Sequence, residues 1–311
     1  MGKRASFASV QQSHTISTVG YHAPQFRTGY EYVIGSRTDS MFCHNAKQDG
    51  KVKEITKHGI IVEYKDGTTE GFELGTLFGK AEGSIYPHQL KTNLKVGQSF
   101  KEGNNIVYNE GFFEKDNLDH NSVLLKNSMT VKVALLETPQ TYEDSTSISK
   151  TLGERLRTST TKMKSIILDF SQSIHDVVSV GQKVDPKTYL LTITDDISEG
   201  MGYDQESLNV LRKISNQAPK AGYLGTISRI EVFYNGELSD MTESLRALTK
   251  KANSELSERY KIKGMKGVSG QVTDEYSVSG KPLTNNKAEI RIYIDRSTSA
   301  GVGDWKRVTC N

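Results

Sequence analysis

The chain has 311 residues, 25% of them charged and 35% hydrophobic, with a net charge of +3. This length supports about two domains with sizeable cores, and a balance near neutrality means that any nucleic-acid surface must be a local patch. Two cysteines far apart, Cys43 and Cys310, exclude a zinc or disulfide framework and fit a reducing compartment, and no apolar run approaches the ~18 residues of a membrane span.

The first residues, Met1 to Gln12, are basic and polar, with no apolar core of the kind a signal peptide needs. Residues 20–46 read as irregular, punctuated by Gly20, Pro24, Gly29 and Gly35. Short strands follow at Val52–Ile55, Gly59–Tyr64 and Thr69–Phe72. Asp66-Gly67 between the last two is a tight-turn signal. Tyr86–Asn93 reads as a linker. Val96-Gly97-Gln98, with the apolar strand that follows it, has a cousin in Val180-Gly181-Gln182 and its own following strand.

Between these cousins lies the acidic doublet of the chain. A strand-like run, Val131–Leu136, leads into Thr141-Tyr142-Glu143-Asp144-Ser145, and a helix-like stretch, Ile148–Leu156, follows. Two adjacent carboxylates past a strand end offer hard oxygen ligands to Mg²⁺ or to the polyphosphate it carries. The same residues also suit a solvated turn, or an N-cap in which Asp144 or Ser145 starts the helix.

Further on, Ile166–Phe170 and Thr226–Tyr234 read as strands, the second closed by Asn235-Gly236. A long helix is predicted next, with Asp240 as N-cap and Glu243 at capping-box spacing. Its stripe is Met241, Leu245, Leu248, Ala252, Leu256 and Tyr260. Lys287–Arg296 alternates Ile290, Ile292 and Ile294 with polar residues, and Gly303-Asp304-Trp305-Lys306-Arg307 comes after it.

Paired Gly-turn strands resemble a biotinyl or lipoyl carrier, and Met163-Lys164 mimics half of a biotin site, but that dipeptide sits in no tight turn between matching halves. A stronger resemblance is to the β subunit of multisubunit DNA-directed RNA polymerases. Tyr142-Glu143-Asp144-Ser145 matches the family's N-[FY]-E-D-[SA] block, with Thr141 in place of its Asn. Gly303-Asp304 and Lys306 resemble its G-D-K motif, with Trp305 interposed. Lys3, Arg4, Val10, Gln11 and Gln12 fall where the family has a segment ending M-Q-R-Q.

The resemblance implies a mostly β chain with some helix: a double-psi β-barrel core, an inserted flap domain, and small β-hairpin or sandwich modules. It divides the chain into a fork-like segment (1–50), a hybrid-binding and first barrel half (51–164), a flap with the long helix (165–270) and a truncated second barrel half (271–311). The strands at Val131–Leu136 and Glu289–Ile294 would meet in the barrel. Glu143 and Asp144 would place the second Mg²⁺ with the incoming NTP, Asp144 directly or through water. Lys306 would neutralise phosphate at the RNA end, and Lys3, Arg4, Gln11, Gln12 and Arg307 would contact nucleotide or nucleic acid.

Two-metal phosphoryl transfer needs a carboxylate cluster. The sequence has no D-x-D-x-D triple, and the resemblance implies that a β′-like partner supplies the primary Mg²⁺ ligands. Implied partners are that chain, the remaining pieces of a split β subunit, DNA template, RNA transcript and NTPs, and a factor on the flap. The implied setting is a phage-infected bacterial cytoplasm or the virion. The Gly-punctuated hairpins and polar composition also suit a non-catalytic β-rich phage structural protein.

Overall fold

A computed structural model describes residues 18–23, 26–38, 41–81, 84–126, 129–135, 147–195 and 218–299. The fold is mostly β, with few helices. In chain order the elements begin with α1 (Glu31–Arg37), β1 (Cys43–Asn45), β2 (Gly50–Ile55), β3 (Gly59–Tyr64), β4 (Thr69–Glu73), β5 (Gly75–Ala81), β6 (Ser84–Lys91), β7 (Ser99–Phe100), β8 (Asn105–Asn109), β9 (Phe113–Lys115) and β10 (Val123–Leu125). They continue with α2 (Lys150–Arg155), β11 (Arg157–Asp169), β12 (Gln172–His175), β13 (Lys183–Val184), β14 (Thr192–Asp195), β15 (Gly225–Asn235), α3 (Glu243–Ile262), β16 (Ser277–Val278), β17 (Lys281–Pro282) and β18 (Lys287–Ser299).

The largest sheet runs β1-β8-β6-β11-β18-β15-β13, with β5 also paired to β6. Its spine is the antiparallel ladder of β11 and β18, from Arg157 opposite Ser299 to Asp169 opposite Lys287. The alternation of β18 decides which face is dry. Ala288, Ile290, Ile292 and Ile294 are fully buried in one core with Leu168, Leu190, Leu191, Ile227, Val232 and Leu245. The opposite face is a paired charge–aromatic layer. The fully buried Glu289 accepts a hydrogen bond from Tyr276 (2.7 Å) and lies 3.1 Å from the Arg291 guanidinium, an ion pair without hydrogen-bond geometry. Tyr293 donates to Glu231 (2.9 Å) and stacks on Phe78. A second core, around Val52, Ile60, Val62, Leu90 and Ile106, fills the smaller sheet β4-β3-β2-β7 and its junction with β6 and β8.

The two glycine-turn cousins are one structural device used twice. Gly97 (φ 79°) and Gly181 (φ 89°) adopt the left-handed conformation that a side chain resists. Gln98 and Gln182 each close their turn by accepting, through the side-chain oxygen, the N–H of the residue three earlier (both 3.0 Å). Each turn then clasps a strand. Gly97 donates to Val52, which donates back to Gln98; Gly181 donates to Ile227, which donates back to Gln182. The match reaches further. Gly50 and Gly225 occupy equivalent ladder positions, where a Cβ would lie 2.5 Å from a neighbouring strand's carbonyl oxygen, and both clasped strands shift register one residue past the clasp. In the first unit the clasped strand precedes the turn; in the second it follows. The chain thus holds two copies of one fold unit, related by a change of order.

Helix α3 joins the units. Its buried stripe starts at Met241 and Leu245, as the spacing predicts, and adds Thr249 and Ile262. The N-cap is Thr242, not Asp240; its hydroxyl donates to the Gln172 carbonyl and accepts no N–H from the first turn of the helix. At the far end Ile262 lies on bare backbone at Gly59 and Gly71; a Cβ on Gly71 would strike the Ile262 carbonyl.

Several local expectations fail for physical reasons. Residues 20–46 are not wholly irregular, since Glu31–Arg37 forms a helix that packs on β10 and β1 without a side-chain cap. The linker Tyr86–Asn93 is largely strand β6, held by partners on both sides. Of the expected strand Val131–Leu136, Val131–Leu135 joins no ladder among the described residues and lies exposed; Leu136 is outside them. The partners of Glu289–Ile294 are instead β11 and β15, and β11 runs through residues 164 and 165 without a break.

Candidate functional site

The residues singled out from the sequence, Lys3, Arg4, Gln11, Gln12, Glu143, Asp144, Lys306 and Arg307, all lie outside the described residues, as does the Asp195-Asp196 pair beyond its first member. The stems of the segments that carry those site residues are described, and they come together. Val19 donates to the carbonyl of Arg157 (2.9 Å) and Gly20 to that of Arg155 (3.0 Å). Arg157 pairs with Ser299, the last residue of β18. A Cβ on Gly20 would meet the Met129 side chain and lie 2.6 Å from the Arg155 carbonyl oxygen. The stretch after the N-terminal segment, the stretch before and the helix after the acidic doublet, and the strand before the lysine motif therefore share one end of the β11–β18 ladder.

Local chemistry explains that meeting point. Ser149 caps α2 by accepting the Leu152 N–H (3.2 Å), so the helix begins later than Asp144 or Ser145 would have set it. The chain passes directly from α2 into β11, whose first half, Arg157-Thr158-Ser159-Thr160-Thr161, is rich in hydroxyls and β-branched residues. Thr158 faces Thr298, Ser159 faces Ser297, and Thr161 donates to Asp295 (2.6 Å). Such a run lacks apolar alternation and reads as a loop from sequence; a long partner strand makes it a ladder.

Three exposed arginines, Arg155, Arg157 and Arg296, stand at this end, alongside the carboxylates of Glu154 and Asp295. None of the three forms an ion pair among the described residues, whereas Arg27, Arg229 and Arg291 each hold a carboxylate. A guanidinium fork matches phosphate geometry, so these three add anion-binding capacity that the motif search missed. In the chain just after Met129, Val131, Val133 and Leu135 are 42%, 79% and 97% exposed. Three alternating large apolar side chains in water mark a segment that gains stability when something covers it, at roughly 25 cal/mol per Å² buried.

Among the described residues no group of three or more His, Cys, Asp or Glu side chains is arranged to hold a metal ion, and no helix is long and apolar enough to cross a membrane. Cys43 is buried and free; burial pushes its thiol up to about 12 despite a hydrogen bond from Asn105. No protein-family model matches the chain, and no curated protein matches it at a significant level.

Proposed function

We propose that the chain is a β-side piece of a multisubunit DNA-dependent RNA polymerase, active only in an assembly. The observation that carries this reading is the shared origin of the stems: the segments bearing the basic N-terminus, the Glu143-Asp144 doublet and Lys306 all start from one end of one β ladder. Segments rooted together need little chain to fold around one ligand. The three exposed arginines there suit a triphosphate or a nucleic-acid backbone. The exposed apolar run Val131–Leu135 suits a contact with further chain.

In this reading Glu143 and Asp144 orient the Mg²⁺-bound NTP and Lys306 offsets charge at the RNA end. Two neighbouring carboxylates fall short of the cluster that holds a primary catalytic Mg²⁺, so a β′-like chain supplies those ligands. When bound, the metal pair stabilises charge developing on the transferred phosphoryl group. Co-purification from infected cells should recover a chain bearing D-x-D-x-D. In that complex, Glu143→Gln/Asp144→Asn should slow NTP incorporation by about 100-fold, in the range for loss of an electrostatic group at a reacting centre. Unchanged incorporation, or co-purification with capsid or tail chains alone, rejects the reading.

A further inference from the structure

A second surface stands out by comparison of the two copies of the repeated unit. In the second copy Tyr189 bridges Lys220, and Ala221 and Gly222 donate back to the carbonyls of Thr188 and Pro186. This tight knot carries two cation–aromatic pairs, Tyr189 with Lys220 exposed and Tyr223 with Lys164 half-buried. The Lys220 ammonium lies 5.4 Å from the centre of the Tyr189 ring, and the Lys164 ammonium lies 5.2 Å from that of Tyr223. Tyr189 is 53% exposed, Gly222 lies against Lys164, and Lys187 sits in the adjoining turn.

The scaffold does not require these residues. At the equivalent places the first copy has Asn105 for Tyr189, Asn45 for Lys220 and Gln48 for Tyr223, and its Asn105 amide bonds Asn45 (3.2 Å) within the unit. The shared backbone features, the Gly-Gln turn and its clasp, are present in both. What differs is the outward chemistry. Lys164, Lys187 and Lys220 form no ion pair among the described residues, a state they share with other surface lysines such as Lys53, Lys95 and Lys250; what sets them apart is their place beside Tyr189 and Tyr223. Asp185 in the same turn accepts the N–H groups of Lys187 and Thr188 and the Thr188 hydroxyl at a single carboxylate oxygen, and its charge faces Lys187.

We propose that this patch binds a single-stranded nucleic acid, with bases stacked on Tyr189 and Tyr223 and phosphates held by Lys164, Lys187 and Lys220. Aromatic faces flanked by lysines are the chemistry that takes splayed bases and a charged backbone together. A duplex hides its base faces and offers only its phosphates. The inference uses none of the residues on which the polymerase reading depends.

The test is fluorescence anisotropy of the purified full chain with labelled 12-nucleotide oligo-U, oligo-dT and a DNA duplex across a salt series. Single strands should bind more tightly than duplex. Three phosphate contacts predict a salt slope of about −2. Tyr189→Ala/Tyr223→Ala should weaken single-strand binding by about tenfold or more per ring, and Tyr→Phe at both should restore it. Lys164→Ala/Lys220→Ala should flatten the slope by about 1.4, and Lys47→Ala in the first copy should change nothing. Circular dichroism confirms that each variant folds. Absence of binding, equal binding of duplex, or wild-type affinity in the tyrosine variant overturns the proposal and leaves the polymerase reading to its own assay.

Discussion

Gly20→Ala tests whether the stems truly meet. Glycine to alanine at an unstrained position ordinarily stabilises a protein by about 0.4–1 kcal/mol, because the unfolded chain loses freedom. Gly20 has no left-handed φ, so only its surroundings oppose the methyl group. Those surroundings are a side chain that can move, Met129, and a carbonyl that cannot, the Arg155 oxygen at 2.6 Å. Overpacking against backbone costs about 1–3 kcal/mol. The Gly20 N–H bond to Arg155 and the Val19 bond to Arg157 are strained with it. The expected net is a loss of about 2 kcal/mol at this locus, read by native-state hydrogen exchange as roughly 30-fold faster exchange at the amides of residues 19 and 20. Met129→Ala in the same chain should recover only part, since the carbonyl remains. Unchanged or slower exchange in Gly20→Ala would refute the contact.

Three other outcomes follow from the same geometry. Gly71→Ala should lower denaturant stability by about 1–3 kcal/mol, because the Cβ meets the Ile262 carbonyl at the end of α3, while Gly67→Ala, in open space, should cost only the ~1 kcal/mol of a left-handed turn. Gln182→Ala and Gln98→Ala should each destabilise by about 1 kcal/mol in chemical denaturation and by similar amounts, since both side chains make the same turn-closing bond. Alkaline pH should unfold the protein progressively. Burial raises both the Cys43 thiol and the Tyr293 phenol to about 12, the latter helped by Glu231. Unfolded, these groups ionise near pH 8.5 and 10, so between those values and about 12 the folded state binds more protons and stability falls as pH rises. Cys43→Ala should flatten the start of that fall in thermal melts taken from pH 8 to 11.

Where the chain makes its own local contacts, the elements were legible from sequence. Gly59–Tyr64, the Asp66-Gly67 turn and the Ile290–Ile294 alternation carry period and punctuation strong enough to stand alone. The kinship of the two Gly-Gln turns was visible too, but not that each clasps a strand, because one strand lies before its turn and the other after. The errors came from long-range pairing. Thr158–Thr161 has no apolar face yet is a strand because β18 lies beside it; Val131–Leu135 has the alternation and is none because nothing described lies beside it. The arginines at the shared end escaped notice since no motif contains them, and only the ladder sets Arg296 opposite Thr160, three pairs from Arg157.

The central claim is that segments rooted at one end of the β11–β18 ladder gather around a common ligand. Its most direct measurement is a cross-link between Asp144→Cys and Lys306→Cys, made with a short bis-maleimide in a Cys310→Ser background and mapped by peptide mass. An intramolecular 144–306 link is expected, in the free chain and in the assembled complex. Mono-adducts at both positions without a link, in the free chain and in the complex alike, would contradict it.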